Sequence, residues 1–128
     1  MAPHDLMNWF RCQKADNLKG AIVQISVHDL KARLDNDNTL PIIDVRTQDE
    51  YEAAHVPHIK ARIEYHEIAQ LIDPEKFPKD QPIYLICRAG RRSMVAAREL
   101  KDIGYQKLIN VAGGTAAWLK EDFPVIKR

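Results

Sequence analysis

No stretch of this sequence approaches the roughly 18 consecutive apolar residues that a membrane-crossing helix needs. Met1 to Gly20 likewise lacks the continuous apolar segment and small-residue cleavage pattern of a secretory signal. Net charge is nearly absent: 19 basic and 18 acidic residues leave +1, which exerts no global pull toward nucleic acid or an anionic membrane. Cysteine is scarce, with Cys12 and Cys87 alone, too few for a disulfide framework. The histidines, His4, His28, His55, His58 and His66, show no spacing that resembles a zinc site. Glycine is sparse too, and its one adjacent pair, Gly113-Gly114, is too short to cradle a phosphate and reads as a turn. These shortages lead to the expectation of a cytoplasmic protein with reduced thiols, no metal or cofactor, and neither nucleic acid nor membrane as partner. Any preference for anions has to be local.

At 128 residues the chain is one domain's worth, enough to bury about two-thirds of its unfolded surface. Residues 1–20 have no clear period and read as an N-terminal extension, a tail or a short helix carrying Trp9 and Phe10; residues 21–128 read as the domain. Ala21 to Ile25 is a strand candidate, and Ser26 with Asp29 can cap a helix striped by Val27, Leu30 and Leu34. Leu40 to Val45 is a β-branched run that begins around Pro41 and ends on Asp44-Val45-Arg46. Thr47 and Glu50 form a capping box for a short helix through Tyr51 to Ala54. Between His55 and Pro82, with Pro57, Pro74 and Pro78 as breakers, a short strand near Ala61-Arg62-Ile63 and a helix around Glu67 to Ile72 are expected. Strand Ile83 to Ile86 runs into Cys87, and a helix follows from Met94 to Ile103, stopped by Gly104. Lys107 to Val111 is a last strand, broken by Ala112 to Thr115 before a short helix with Trp118 as a core residue. Strands alternating with helices imply βαβ units and a largely parallel sheet covered on both faces, with sites at the carboxyl ends of the strands.

The chemistry gathers at one such end. The apolar run Ile83-Tyr84-Leu85-Ile86 stops at Cys87 and becomes Arg88-Ala89-Gly90-Arg91-Arg92-Ser93. A thiol there lies next to cations and a helix N-terminus, which can lower a cysteine pKa from about 8.5 to roughly 3.5–7.5. Gly90 allows the backbone to curl so that its N–H groups form an anion nest around the sulfur. Such a nest can hold a thiolate, a persulfide or an oxyanion, which leaves sulfur transfer and phosphoryl or arsenyl transfer open. The bland alternative is a buried structural cysteine beside solvated arginines. A Cys-x5-Arg phosphatase loop places an arginine six residues after the cysteine to grip two phosphate oxygens. Here that position is Ser93, and arginines stand at Arg88, Arg91 and Arg92, a shorter ring that suits one extra sulfur atom. Asp44 and Arg46 read as a buried pair bracing the strand, or as supports at the edge of the site.

Cys87-Arg88-Ala89-Gly90-Arg91-Arg92-Ser93, preceded by Ile43-Asp44-Val45-Arg46 with Glu50-Tyr51 and followed by Ala112-Gly113-Gly114 with Trp118 and Phe123-Pro124, resembles the three signatures of single-domain rhodaneses in order. The resemblance spans about Gln24 to Val125. It implies a three-layer α/β domain with a central, mostly parallel five-stranded sheet, and a Cys87 that takes a sulfane sulfur from a donor such as thiosulfate and passes it, by a ping-pong route, to a thiophilic acceptor. The partners expected are a small anionic donor attracted by Arg88, Arg91 and Arg92, a cyanide or thiol acceptor, and a protein sulfur acceptor. Two departures stand out. The family's His-Ile-Pro-Gly-Ala segment appears as His55-Val56-Pro57-His58-Ile59-Lys60-Ala61, readable from His55 or from His58, and without its glycine. Some thiosulfate-specific members carry a lysine where this chain has Ala89, which leaves the donor open. The rivals are a cysteine-based phosphatase or arsenate reductase, and a non-catalytic interaction module. Cys12 is a candidate to resolve a persulfide or disulfide on Cys87, with nothing in the sequence to bring the two together.

Overall fold

The computed structural model describes residues 21–128, so Cys12 and the expected N-terminal extension lie outside the described residues. The strands are β1 (Ile22–Ile25), β2 (Ile42–Asp44), β3 (Ala61–Arg62), β4 (Ile83–Ile86) and β5 (Leu108–Val111). The helices are α1 (Val27–Asn36), α2 (Gln48–Ala53), α3 (Ile68–Leu71), α4 (Arg91–Asp102) and α5 (Gly114–Lys120). The strands form one parallel sheet in the order β1-β5-β4-β2-β3. Strand β4 is therefore central, and its continuous apolar sequence follows from that place: all four of its residues are buried.

Alternation along β4 builds the three layers. Ile83, Leu85 and Cys87 point to one face and pack with Ile68 of α3 and with Ala96, Ala97 and Leu100 of α4. Tyr84 and Ile86 point to the other, where Leu30 and Leu34 of α1 and Trp118 of α5 cover them. Trp118 is thus a core residue, as expected, and its indole nitrogen donates to the Pro124 carbonyl at 2.8 Å. Among the described residues no helix is long and apolar enough to cross a membrane.

Both capping boxes form. Ser26 Oγ accepts from Asp29 N at 3.1 Å while the Asp29 carboxylate accepts from Ser26 N, and Thr47 and Glu50 repeat the exchange at the start of α2. Each such cap contributes about 1 kcal/mol. Strand β2 starts at Ile42, one residue after the expected start at Pro41, which has no N–H to give a ladder. Helix α4 starts at Arg91, three residues before the expected Met94. Its stop is as expected: Tyr105 N and Gly104 N bond back to the carbonyls of Leu100 and Lys101. Gly114 and Thr115, expected to break the chain, are instead the first turn of α5.

The His55 segment takes one register. His58 adopts φ +67°, the left-handed backbone that a glycine accepts readily, so the match runs from His55 with His58 in the glycine's place. His55 is buried, its Nδ1 2.7 Å from the Tyr51 carbonyl and its ring stacked on Tyr51, while its backbone pairs both ways with Ile126. It is a hydrogen-bonding residue of the loop, as expected, and His58 contributes through its carbonyl, which accepts from Lys60 Nζ at 2.9 Å.

Candidate active site

Cys87 follows the central strand directly, at the carboxyl end of the sheet. Three residues later the chain enters α4 through Gly90 at φ +91°, so the loop around the sulfur is very short. Gly90 N lies 3.1 Å from Cys87 Sγ, Ser93 N lies 3.4 Å from it and Ser93 Oγ 3.3 Å. These donors belong to the N-terminal turn of a twelve-residue helix whose dipole also favours negative charge at that end. The thiol is only 1 % exposed. Burial pushes its pKa up, but the hydrogen-bonding contact with the Ser93 side chain and the bonds from the Ser93, Ala89 and Gly90 amides outweigh it and hold the thiol below its ordinary value.

A second element orients the loop. Thr115 N and Ala116 N, at the start of α5, donate to the carbonyls of Cys87 and Arg88 at 2.8 and 2.9 Å. With those carbonyls tied to α5, the loop N–H groups are left to face the sulfur. The close approach requires glycine on both sides. A Cβ on Gly90 would lie 2.2 Å from the Ala112 carbonyl oxygen, and one on Gly114 would lie 2.4 Å from the carbonyl oxygens of both Cys87 and Arg88. Of the Gly113-Gly114 pair, Gly114 is therefore part of the loop's wall, while Gly113 is the N-cap of α5.

The arginines divide into two kinds. Arg88 and Arg91 are exposed, as is Ala89, and neither arginine makes an ion pair among the described residues. Arg92 is half-buried and grips Glu50 with both terminal nitrogens, Nη1 to Oε1 at 2.7 Å and Nη2 to Oε2 at 2.8 Å. The fork expected to help attract the donor is filled here by a carboxylate. Glu50 is pushed down to about 2, chiefly by the Arg92 hydrogen bond, against desolvation and with help from the Thr47 N–H. Glu50 joins the cap of α2 to the first turn of α4, a link between residues 42 positions apart. Asp44 and Arg46 form the expected buried pair, with Arg46 Nη2 2.8 Å from Asp44 Oδ2 and from the Ala54 carbonyl. They brace the end of β2 to the end of α2.

Sequence reasoning missed Asn110 and Gln24. Asn110 sits on β5 next to β4, 1 % exposed; its Oδ1 accepts from Ser93 Oγ and its Nδ2 donates to Gln24 Oε1 at 2.8 Å and to the Gly90 carbonyl at 3.3 Å. The signal available was a lone Asn inside the apolar run Leu108-Ile109-Asn110-Val111, since a polar side chain in a buried strand needs partners.

Residues 26–121 match the family model of the rhodanese-like domain. The chain belongs to the rhodanese-like domain family. Among related sequences, thiosulfate sulfurtransferase 18 of Arabidopsis thaliana is 31 % identical over 116 residues, covering 81 % of this chain and 83 % of that protein. A provisionally named sulfur carrier protein of Bacillus subtilis, YrkF, is 39 % identical over 98 residues, covering 77 % and 51 %. The adenylyltransferase and sulfurtransferase uba4 of Ogataea parapolymorpha is 31 % identical over 118 residues, covering 89 % and 29 %. This chain thus spans about half of YrkF and under a third of uba4. Among solved structures, a rhodanese-like domain protein of Staphylococcus aureus superposes with TM-score 0.65 at 30 % identity, covering 75 % of this chain and 90 % of that one. The rhodanese-like domain of Anabaena Alr3790 gives TM-score 0.73 at 24 % identity, covering 82 % and 79 %. The second likeness is one of fold alone. The sheet described above is that of the rhodanese-like structures, and the sequences related to this chain include proteins named for sulfur transfer.

Proposed function

We propose that this rhodanese-like domain, spanning residues 21–128 with residues 1–20 as an extension, is a sulfurtransferase whose sulfur carrier is Cys87. The observation that carries the reading is the bowl around Cys87 Sγ: two backbone amides donate to it from within 3.4 Å at a helix N-terminus, the Ser93 hydroxyl lies 3.3 Å away, and the competing carbonyls are turned away to α5. That is a cradle for an anionic sulfur.

The thiolate attacks the outer sulfur of an anionic sulfane donor such as thiosulfate. A Cys87 S–S bond forms, the donor's S–S bond breaks, and sulfite leaves with the bonding pair. The loop amides hold the persulfide anion, and Ala89 and Gly90 line its mouth. A thiol or cyanide acceptor, or a protein carrying such a thiol, then attacks the outer sulfur and releases Cys87 as thiolate. Exposed Arg88 and Arg91 raise the local concentration of the anionic donor, while Arg92, Asp44 and Arg46 position the loop. The reading favours sulfur over phosphate because Ser93, at the sixth position, turns into the site as a buried hydroxyl, where a phosphatase loop needs an arginine. The compartment proposed is the cytoplasm, where a reduced Cys87 persists.

The test is thiocyanate formation from cyanide with a panel of donors, thiosulfate and mercaptopyruvate included, by wild type and Cys87→Ser. Turnover with at least one donor that vanishes in the variant supports the reading. Cys87-dependent turnover of an aryl phosphate or of arsenate, with no thiocyanate formed, replaces it by the phosphatase or reductase alternative.

A further inference from the structure

Ser93 has one hydroxyl proton and two buried neighbours able to take a hydrogen bond from it. Its Oγ lies 3.3 Å from Cys87 Sγ on one side and hydrogen-bonds Asn110 Oδ1 on the other. Which end of the Asn110 amide faces Ser93 follows from Gly90, whose carbonyl oxygen only accepts: Nδ2 is the atom 3.3 Å from it, so the oxygen faces Ser93. An amide oxygen requires the hydroxyl to donate. While Ser93 donates to Asn110, only its lone pairs face the sulfur, an arrangement that suits a neutral thiol whose S–H donates to Ser93 Oγ. A thiolate or persulfide anion has no proton to give and needs the hydroxyl turned toward it. Ser93 and Asn110 are 0 % and 1 % exposed, so neither has bulk water as an alternative partner.

We infer that Asn110 is a positioning residue that competes with Cys87 for the hydroxyl proton of Ser93, holding the resting site toward the neutral thiol until an anionic sulfur claims that proton. The inference rests on Cys87 as the sulfur carrier and extends the site beyond the loop to β5. No proton passes between Ser93 and Asn110; the hydroxyl reorients, and the thiol proton leaves to solvent. Gln24, exposed on β1, strengthens the competitor. Its Oε1 accepts from Asn110 Nδ2 at 2.8 Å while its Nε2 points at Met94 Sδ at 2.9 Å, and an amide that donates at one end accepts better at the other. The charged groups around the loop, exposed Arg88 in it, Arg91 and Arg92 on α4, Glu50 on α2 and Asp44 with Arg46 at the end of β2, are unchanged by any substitution in this network.

The test is the pH dependence of Cys87 alkylation by iodoacetamide in the full chain, followed on the Cys87 peptide by mass so that Cys12 does not contribute. Asn110→Leu removes the competing acceptor and lowers the midpoint by about one pH unit, the size expected when a hydrogen bond to a charged sulfur is fully recovered. Gln24→Ala, on the surface and harmless to the core, lowers it by less, in the same direction. In a Ser93→Ala background the midpoint lies above that of wild type, and neither further substitution moves it. An upward shift with Asn110→Leu, an unmoved midpoint with Gln24→Ala, or equal shifts with and without the Ser93 hydroxyl overturns the inference. If Asn110→Leu does not fold, the Gln24→Ala pair decides alone. Sulfur loading is scored separately by intact mass, so a failure of sulfur transfer is distinguished from a failure of the Asn110 competition.

Discussion

Replacing Glu50 with Gln removes one charge and leaves the side chain's shape. In the folded protein Glu50 is held from an ordinary 4.5 down to about 2, first by its bidentate pair with Arg92. A fall of that size corresponds to at most about 3–4 kcal/mol of extra stabilisation of the charged form. The two side chains are 31 % and 28 % exposed, so screening by water brings the expected loss to about 1–2 kcal/mol. The pH dependence has a definite sign. A carboxylate whose folded pKa is depressed stabilises the protein fully above the unfolded value near 4.5, and the contribution fades as pH falls toward 2. Urea unfolding of wild type and Glu50→Gln at several pH values reads this directly. The difference between them is about 1–2 kcal/mol at pH 7 and shrinks between pH 4.5 and 2. A difference that stays constant down to the acid limit, or that is absent at pH 7, refutes the role given to the Glu50–Arg92 link.

Gly114→Ala drives a Cβ to 2.4 Å from the carbonyl oxygens of Cys87 and Arg88 at a φ of +60°, so the variant loses more than about 2 kcal/mol in urea unfolding. Its Cys87 also loses the low alkylation midpoint as the loop is pushed open. Asp44→Asn leaves the Arg46 guanidinium buried without its anion and costs about 3–5 kcal/mol by the same assay, whereas an exposed partner would cost a few tenths. Trp118→Phe keeps most of the packing but gives up the hydrogen bond to the Pro124 carbonyl, and lowers stability by about 1 kcal/mol. Cys87→Ser leaves stability nearly unchanged and abolishes sulfur loading.

The local chemistry of the chain was readable where residues near in sequence do the work. Ser26 with Asp29 and Thr47 with Glu50 are capping boxes three residues wide, and both form. The Ile83–Ile86 run is apolar on both faces because β4 is central, and that alone places Cys87 at the mouth of a parallel sheet. The start of α4 was misplaced because Arg91-Arg92-Ser93 carries no apolar period, and its cap is a left-handed Gly90 with no side-chain oxygen to announce it. The rest of the site is long-range. Arg92 meets Glu50 across 42 positions, Ser93 meets Asn110 across 17, and Asn110 meets Gln24 across 86. Only the strand order β1-β5-β4-β2-β3 brings these together, and no periodicity encodes it. The three arginines looked equivalent as a string, yet the fold commits one to a carboxylate and leaves two at the surface.

The most direct measurement of Cys87 as a sulfur carrier is the intact mass of wild type and Cys87→Ala after incubation with thiosulfate and, separately, with mercaptopyruvate, each then treated with cyanide. The expected result is one added sulfur atom on wild type with at least one donor, located on the Cys87 peptide, absent from the variant and removed by cyanide. No added sulfur with either donor, or an equal gain by Cys87→Ala, contradicts it.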